Sequence, residues 1–132
     1  MNDVAIRTGR HDRGEAAAQL VILTPLLILL VFLGVQTAIY FHAANVAAAA
    51  AAQGAAAGAP QRSGTTNAAE VAASIVSDLD GHASGPPIAQ ESSGYISVTV
   101  VVMVPRIVPF FPSSVTRTAS EPKERFVPES NR

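Results

Sequence analysis

Several residue types that build catalytic or metal sites are missing or scarce in this chain. Its 132 residues include no cysteine and no tryptophan, and aromatic residues make up 5%. Without cysteine the chain has no disulfide, no zinc finger and no cysteine nucleophile. Charged residues make up 14%, the net charge is −1 and no run of basic residues occurs, so the composition gives no reason to expect nucleic-acid binding.

The residues that are abundant are apolar, and they are concentrated in two places. Apolar residues make up 48% of the chain, and a large share of them lies in the aliphatic run of residues 20–35 and in the alanine-rich segment of residues 42–59. Alanine buries little surface. Outside the aliphatic run, the chain therefore has room for one small domain with a modest core.

The aliphatic run begins soon after a charged leader. This leader, residues 1–14, ends at Gly14, and after Glu15 the chain carries no charge over residues 16–61. Because about 20 apolar residues span a bilayer as a helix, the pattern predicts a transmembrane segment at about residues 16–41.

Basic residues predict how this segment crosses the membrane. Arg7, Arg10 and Arg13 precede it, and the next basic residue is Arg62. The positive-inside rule then places the N-terminus in the cytoplasm and the C-terminal domain outside. A secretory signal peptide is an alternative, because A-x-A cleavage patterns follow the run, although the run exceeds the usual stretch of about 7–15 residues. A plain single-pass anchor is a second alternative.

The alanine-rich segment is expected to continue the membrane helix, since alanine is the best helix former. One long helix would then occupy residues 15–59, until Pro60 stops it. Two interpretations of the alanine content are open. Either the helix or a linker merely tolerates alanine, or the small side chains allow close packing against other helices.

The remaining residues, 60–132, predict a small extracytoplasmic domain of the α+β class. Thr66 or Asn67, followed by Glu70, resembles a capping box, and an amphipathic helix is expected after it. Residues 77–94 are rich in glycine, proline and serine, which predicts a loop. The apolar stripe of the helix comprises Ala68, Val71, Ala72, Ile75, Val76 and Leu79.

Residues 95–104 predict the clearest strand, because they are rich in β-branched side chains. Residues 113–120 alternate weakly and are the expected return strand of a small antiparallel hairpin or sheet. The charged tail, residues 121–132, is expected to be flexible. One face of the strand carries Ile96, Val98, Val100, Val102 and Val104.

Candidate catalytic or metal-binding residues are few. Asp78, Asp80 and His82 form one acid–histidine group, but they lie in the predicted loop and no further ligand type accumulates beside them. No nucleophile elbow and no phosphate-binding glycine loop is present. We therefore expect no enzymatic activity, metal, cofactor, nucleic acid or small-molecule substrate.

Three short motifs occur in an order that is typical of one family. They are R-G ending at Gly14, L-T-P ending at Pro25 and Q-G-A beginning at Gln53. Together with the valine-rich strand and the segment that follows it, they make residues 13–126 similar to TadE/TadG-like pilus assembly proteins. These are pseudopilins of the tight-adherence (Flp) type IV pilus system.

The resemblance implies a non-enzymatic role in pilus assembly at the bacterial cytoplasmic membrane. It implies cleavage between Gly14 and Glu15 by a prepilin peptidase, and packing of the membrane helix with other pilin-like subunits. The Thr24–Pro25 step is expected to kink the helix, either as a flexible point or as part of its ordinary shape.

One departure from the pilin-like pattern concerns the fifth residue after the cleavage glycine. This residue is commonly glutamate, whose carboxylate is thought to pair with a neighbouring subunit's amine, but here it is Gln19. We favour a minor or assembly subunit that is not stacked repeatedly along a filament. Partial compensation by Glu15 and an ordinary polar residue near the interface are the alternatives.

Overall fold

The computed structural model describes residues 11–60 and 62–124. It confirms the α+β class, with a long N-terminal helix, a short helix and a small antiparallel sheet. The chain divides into two compact units, Met1–Val35 and Gln36–Arg132. The elements in chain order are α1 (His11–Gly58), α2 (Thr65–Asp78), β1 (Ile88–Ser92), β2 (Tyr95–Met103) and β3 (Ser114–Pro122).

The first unit contains the N-terminal part of α1. The helix begins at His11, so Gly14 lies inside it, whereas the sequence analysis places the leader up to that glycine. Pro25 also lies within the helix. The preceding Thr24 donates its hydroxyl to the Leu20 carbonyl at 2.7 Å, which satisfies that polar side chain within the helix itself.

The sheet belongs to the second unit and has the order β1–β2–β3, with both pairs antiparallel. β2 confirms the predicted strand, and β3 confirms the predicted return strand. β1 and β2 are joined by Ser93 and Gly94, both with positive φ, at 54° and 80°. This is the geometry of a tight two-residue hairpin turn whose twist matches that of the strands.

β1 corrects the sequence analysis, which predicts a loop throughout residues 77–94. The strand pairs Ile88 with Thr99 and Ser92 with Tyr95. Further along the same edge of β2, Ala83 forms a bridge with Val102. Only Ala89 in β1 is even partly buried, so the strand has no apolar alternation and depends on backbone pairing with β2.

The core of the second unit lies between α1, α2 and the sheet. The predicted apolar face of β2 is confirmed, because all of its members are buried. α2 contributes Ala68, Ala72 and Val76, whereas Leu79 at the end of the predicted stripe is exposed. The α1 side chains that are fully part of the core are small, and the larger Ile39 and Tyr40 pack against it partly buried. The small ones are Ala43, Ala44, Val46, Ala47, Ala50, Ala51 and Ala55.

Two glycines show how closely α1 approaches its neighbours. A Cβ on Gly54 would lie 2.7 Å from the Ala68 carbonyl oxygen and 2.8 Å from the Ala72 Cβ. A Cβ on Gly58 would collide with the Ile96 side chain. Small residues are therefore required along this side of α1, and of the two interpretations of the alanine-rich segment the close-packing one applies, against α2 and the sheet of the same unit.

The predicted capping box of α2 is wrong. The N-cap is Gly64, and no side chain makes a capping hydrogen bond. Asn67 instead donates its Nδ2 to the Ala57 carbonyl at 2.9 Å, which ties α2 to α1. The Asn67 side chain, which local spacing assigns to the cap, is therefore bound to α1 instead.

The beginning of the predicted flexible tail is ordered. Pro122 ends β3, and the Lys123 N–H donates to the Gly94 carbonyl at 2.8 Å. The Lys123 ammonium pairs with Glu91 at 2.6 Å, and the Glu124 N–H donates to the Ala59 carbonyl at 3.0 Å. The rest of the tail, residues 125–132, lies outside the described residues.

Candidate functional site

The predicted processing residues lie near the start of α1. Gly14 and Glu15 are exposed, and a Cβ on Gly14 would have no atom within 4 Å. The leader before His11 lies outside the described residues. Within the described residues, Gly14 is helical.

The other predicted residues follow along the same helix rather than converging on a pocket. Gln19 is exposed. It lies four residues after Glu15, so the two side chains share a face of α1 about one turn apart. Thr24 and Pro25 come more than a turn later, and Thr24 uses its hydroxyl locally, on Leu20. The group is therefore a linear segment along one helix, and its members do not converge on a common site.

The dominant property of this segment is exposed aliphatic surface. Ile22 is 75% exposed, and every large hydrophobic residue from Leu20 to Leu33 is exposed as well. Such a continuous apolar surface is far larger than soluble monomers tolerate. Within the described residues, α1 is the one helix long and apolar enough to cross a membrane. These properties support a single-pass membrane protein.

Gln36, immediately after this surface, is a residue whose importance the sequence analysis missed. Its side chain is completely buried. Nε2 donates to the Pro105 carbonyl at 3.1 Å, and Oε1 accepts from the Ile107 N–H at 2.7 Å and from the Val108 N–H at 3.2 Å. One glutamine therefore fixes the start of the connection between β2 and β3 onto α1.

The contact between Gln36 and the β2–β3 connection could hardly be predicted from the sequence. The connection, with Pro105, Pro109 and Pro112, lies about 70 residues from Gln36, and no local spacing relates them. The available signal was a lone amide at the end of an apolar run, which is costly to bury without partners.

The acid–histidine group is not arranged to hold a metal ion. Asp78, Asp80 and His82 are all exposed. Among the residues that the structure describes, no three histidine or acidic side chains are placed so that they could hold a metal ion.

Comparison with known families gives a match over α1. Residues 14–56 match the family of TadE-like proteins. This part of the chain is TadE-like. Over these residues the match confirms the resemblance, and it supports a protein associated with the Tad pilus and with the membrane. No curated protein and no solved structure matches the chain significantly.

The limits of the TadE-like segment follow the structure of α1. It begins at Gly14, where the charged leader ends, and stops two residues before the helix ends at Gly58. It includes Gln19, Pro25 and Gln36, together with most of the small residues that face the core. α2 and the sheet lie outside it, so the match covers about a third of the chain.

Proposed function

We propose that this protein is a non-enzymatic minor pseudopilin or assembly subunit of a Tad (Flp-type) pilus. The observation that carries the proposal is the start of the TadE-like match at Gly14, where the charged leader gives way to a helix with exposed aliphatic side chains. A helix of this kind is stable only when lipid or other apolar helices cover it.

In this proposal the leader is cytoplasmic and the second unit is outside the membrane. Arginines precede the aliphatic run and none follows it until Arg62, which favours this orientation. A prepilin peptidase on the cytoplasmic side removes the leader after Gly14 and leaves Glu15 as the first residue. The open space around Gly14 suits a residue that must enter an enzyme's cleft.

Gln19 supports a minor role rather than a repeated structural one. An uncharged amide does not neutralise a neighbouring subunit's terminal amine, and an unpaired charge within the membrane is costly. Glu15 would be the first residue of the cleaved chain, at the edge of the membrane where water is available. Its carboxylate is therefore a poor replacement for one at position 19. A subunit of this kind would occur once or a few times in the machinery, packing its helix against other pilin-like helices.

The decisive experiment is to determine the mature N-terminus by intact mass and terminal peptide analysis of membrane and supernatant fractions. We expect a membrane protein that begins at Glu15. A soluble product that begins within residues 47–59 would instead establish release by signal peptidase, and an uncleaved membrane protein would establish a plain anchor. Either result overturns the proposal.

Gly14→Leu tests the cleavage position directly. We expect processing to stop, because a branched side chain now occupies the position next to the cut bond. The matched control is Gly34→Leu, in the same helix, where an added Cβ likewise meets nothing within 4 Å. Processing of the Gly34 variant should continue, and continued processing of the Gly14 variant would contradict the assignment.

Gln19→Glu tests the minor-subunit role. If the missing carboxylate keeps this subunit from repeated stacking, the variant should enter sheared filaments in a larger amount than the parent chain. Quantitative immunoblotting of filament fractions measures this. The control is Gln53→Glu, at an exposed position of the same helix outside the aliphatic run. Equal incorporation of parent and Gln19→Glu would count against the role.

A further inference from the structure

We propose that the β2–β3 connection, residues 105–113, is a membrane-contacting loop that inserts its apolar side chains into the outer lipid interface. We call it the proline loop. The inference rests on the membrane placement in the proposed function and adds a second lipid contact to that of α1.

The proline loop exposes large apolar side chains without a partner in the second unit. Phe110 is 99% exposed and Ile107 is 48% exposed. Phe110 also has a positive φ of 81°, which is unusual for a bulky residue. At this exposure its ring contributes nothing to the core.

Gln36 determines the level of the loop along the helix. Its amide accepts the N–H groups of Ile107 and Val108 and donates to the Pro105 carbonyl. A bilayer core requires about 20 helical residues, so a hydrocarbon span that starts at Ala16 ends close to Gln36, and the rest of the predicted segment, up to residue 41, lies in the interface. The base of the loop is thus held at the residue where the helix leaves the hydrocarbon region.

The bonding also explains how a glutamine is accommodated at this depth. A side-chain amide at the edge of the hydrocarbon region needs polar partners. The loop backbone supplies three, and Gln36 is left with no exposed surface. Ile107, whose N–H is bound to Gln36, and Phe110, three residues later, keep exposed side chains.

The composition of the loop favours lipid over water. Phenylalanine is among the apolar residues that interfacial segments bury at the boundary between headgroups and acyl chains. Arg106 is exposed beside Ile107, and an arginine next to apolar residues can extend its guanidinium to lipid phosphates while its stem remains in apolar surroundings. A protein partner at the same level is the competing occupant, and the test below separates the two.

The absence of tryptophan allows a direct test with single-tryptophan variants of the full chain. Phe110→Trp is reconstituted into phosphatidylcholine vesicles with brominated acyl chains, which quench tryptophan in lipid. Tyr95→Trp is the matched control, an aromatic residue 55% exposed at the far end of β2, about 26 Å along the strand from Met103. Leu27→Trp reports the membrane span.

We expect Leu27→Trp to be strongly quenched, Phe110→Trp to lose roughly half of its emission, as for a side chain at the acyl boundary, and Tyr95→Trp to lose little. Ile107→Trp should behave like Phe110→Trp, which guards against a local effect of one substitution. Because Phe110 packs against nothing, its replacement should leave the fold intact, and circular dichroism checks this.

Three outcomes overturn the inference. If Leu27→Trp is quenched but Phe110→Trp resembles Tyr95→Trp with red emission, the loop is in water. If Phe110→Trp is unquenched with blue-shifted emission, a protein surface covers it. Both results leave the proposed function standing. If Leu27→Trp itself is unquenched, the membrane placement fails, and the inference fails with it.

Discussion

The two parts of α1 differ in what they present to their surroundings. Residues 20–35 carry mainly large aliphatic side chains, and the large ones are exposed. Residues 36–58 carry mainly alanine and glycine, and the side facing the core is completely covered. The difference shows that side-chain size changes along α1 with the surroundings of the helix. Large residues predominate where the chain itself provides no neighbour, and small residues predominate where α2 and β2 approach closely. Ile39 and Tyr40, which pack partly buried against the core, are the exceptions.

This difference changes the meaning of the alanine-rich segment. Alanine buries little surface by itself, so a helix of alanines looks like a poor contributor to a core. Here the sheet supplies the larger side chains, and the small side chains of the helix leave room for them. The core is therefore formed by large residues on one side and mainly small residues on the other.

The largest expected effect comes from giving the second part of α1 a side chain of the first part. Gly54→Leu would force a branched side chain toward the Ala68 carbonyl and the Ala72 Cβ. We expect a loss of about 3 kcal/mol in unfolding free energy, the upper range for overpacking. The measurement is thermal unfolding of the detergent-solubilised full chain by circular dichroism.

Gly34→Leu is the control for that change. It makes the same substitution in the first part of the helix, where nothing lies within 4 Å of the added Cβ. Its stability should match the parent or rise slightly, because leucine has the better helix propensity. Equal destabilisation at both glycines would refute the contrast between the two parts of α1.

The next effect concerns Gln36, where the two parts meet. Gln36→Leu extends the aliphatic run by one residue and leaves two N–H groups and one carbonyl of the proline loop without their partner. We expect a loss of roughly 2–3 kcal/mol, as for unsatisfied buried groups. Gln53→Leu, at an exposed glutamine of the same helix, should change little. A neutral Gln36→Leu would mean that water replaces the amide.

A smaller effect should follow from removing volume on the sheet side. Val100→Ala shortens a side chain that is 1% exposed and leaves a void that alanines of α1 do not fill. We expect about 2 kcal/mol of destabilisation from lost burial and the cavity. Val101→Ala, on the opposite face and only partly buried, should cost less than about 1 kcal/mol. Urea titration compares the two midpoints, and equal midpoints would contradict the asymmetry.

The smallest effect concerns the link between α1 and α2. Asn67→Ala removes the hydrogen bond to the Ala57 carbonyl, which should cost about 1 kcal/mol or less because the pair is exposed. Hydrogen exchange should be faster at the end of α1. Asn45→Ala, at an exposed position of α1, is the control and should leave that exchange unchanged.

The sequence predicted the features that local patterning determines. Valine alternation defined β2 and its buried face, and the charge boundary together with the aliphatic run defined the membrane-length helix. β1 was missed because its residues are polar and it exists through pairing with β2. The Gly64 cap and the Asn67 contact depend on how α2 meets α1, which helix-start spacing does not contain.

The candidate site divides in the same way. Gly14, Glu15 and Gln19 could be selected from sequence because each is identified by its distance from the point where the charged leader changes into the apolar run. Gln36 could not be selected, because its partners are backbone groups about 70 positions later. Backbone groups are common to all residues, so the sequence does not indicate which of them will bind a given side chain.

The hydrogen bond from Glu124 to the Ala59 carbonyl has a practical consequence for labelling. It brings the last described residues to the end of α1, about 35 Å along the helix from Gln36 at 1.5 Å per residue. A fluorophore attached at position 124 would therefore lie at that end of α1, away from Gln36 and the base of the proline loop. Such a label would leave the proline loop unobstructed.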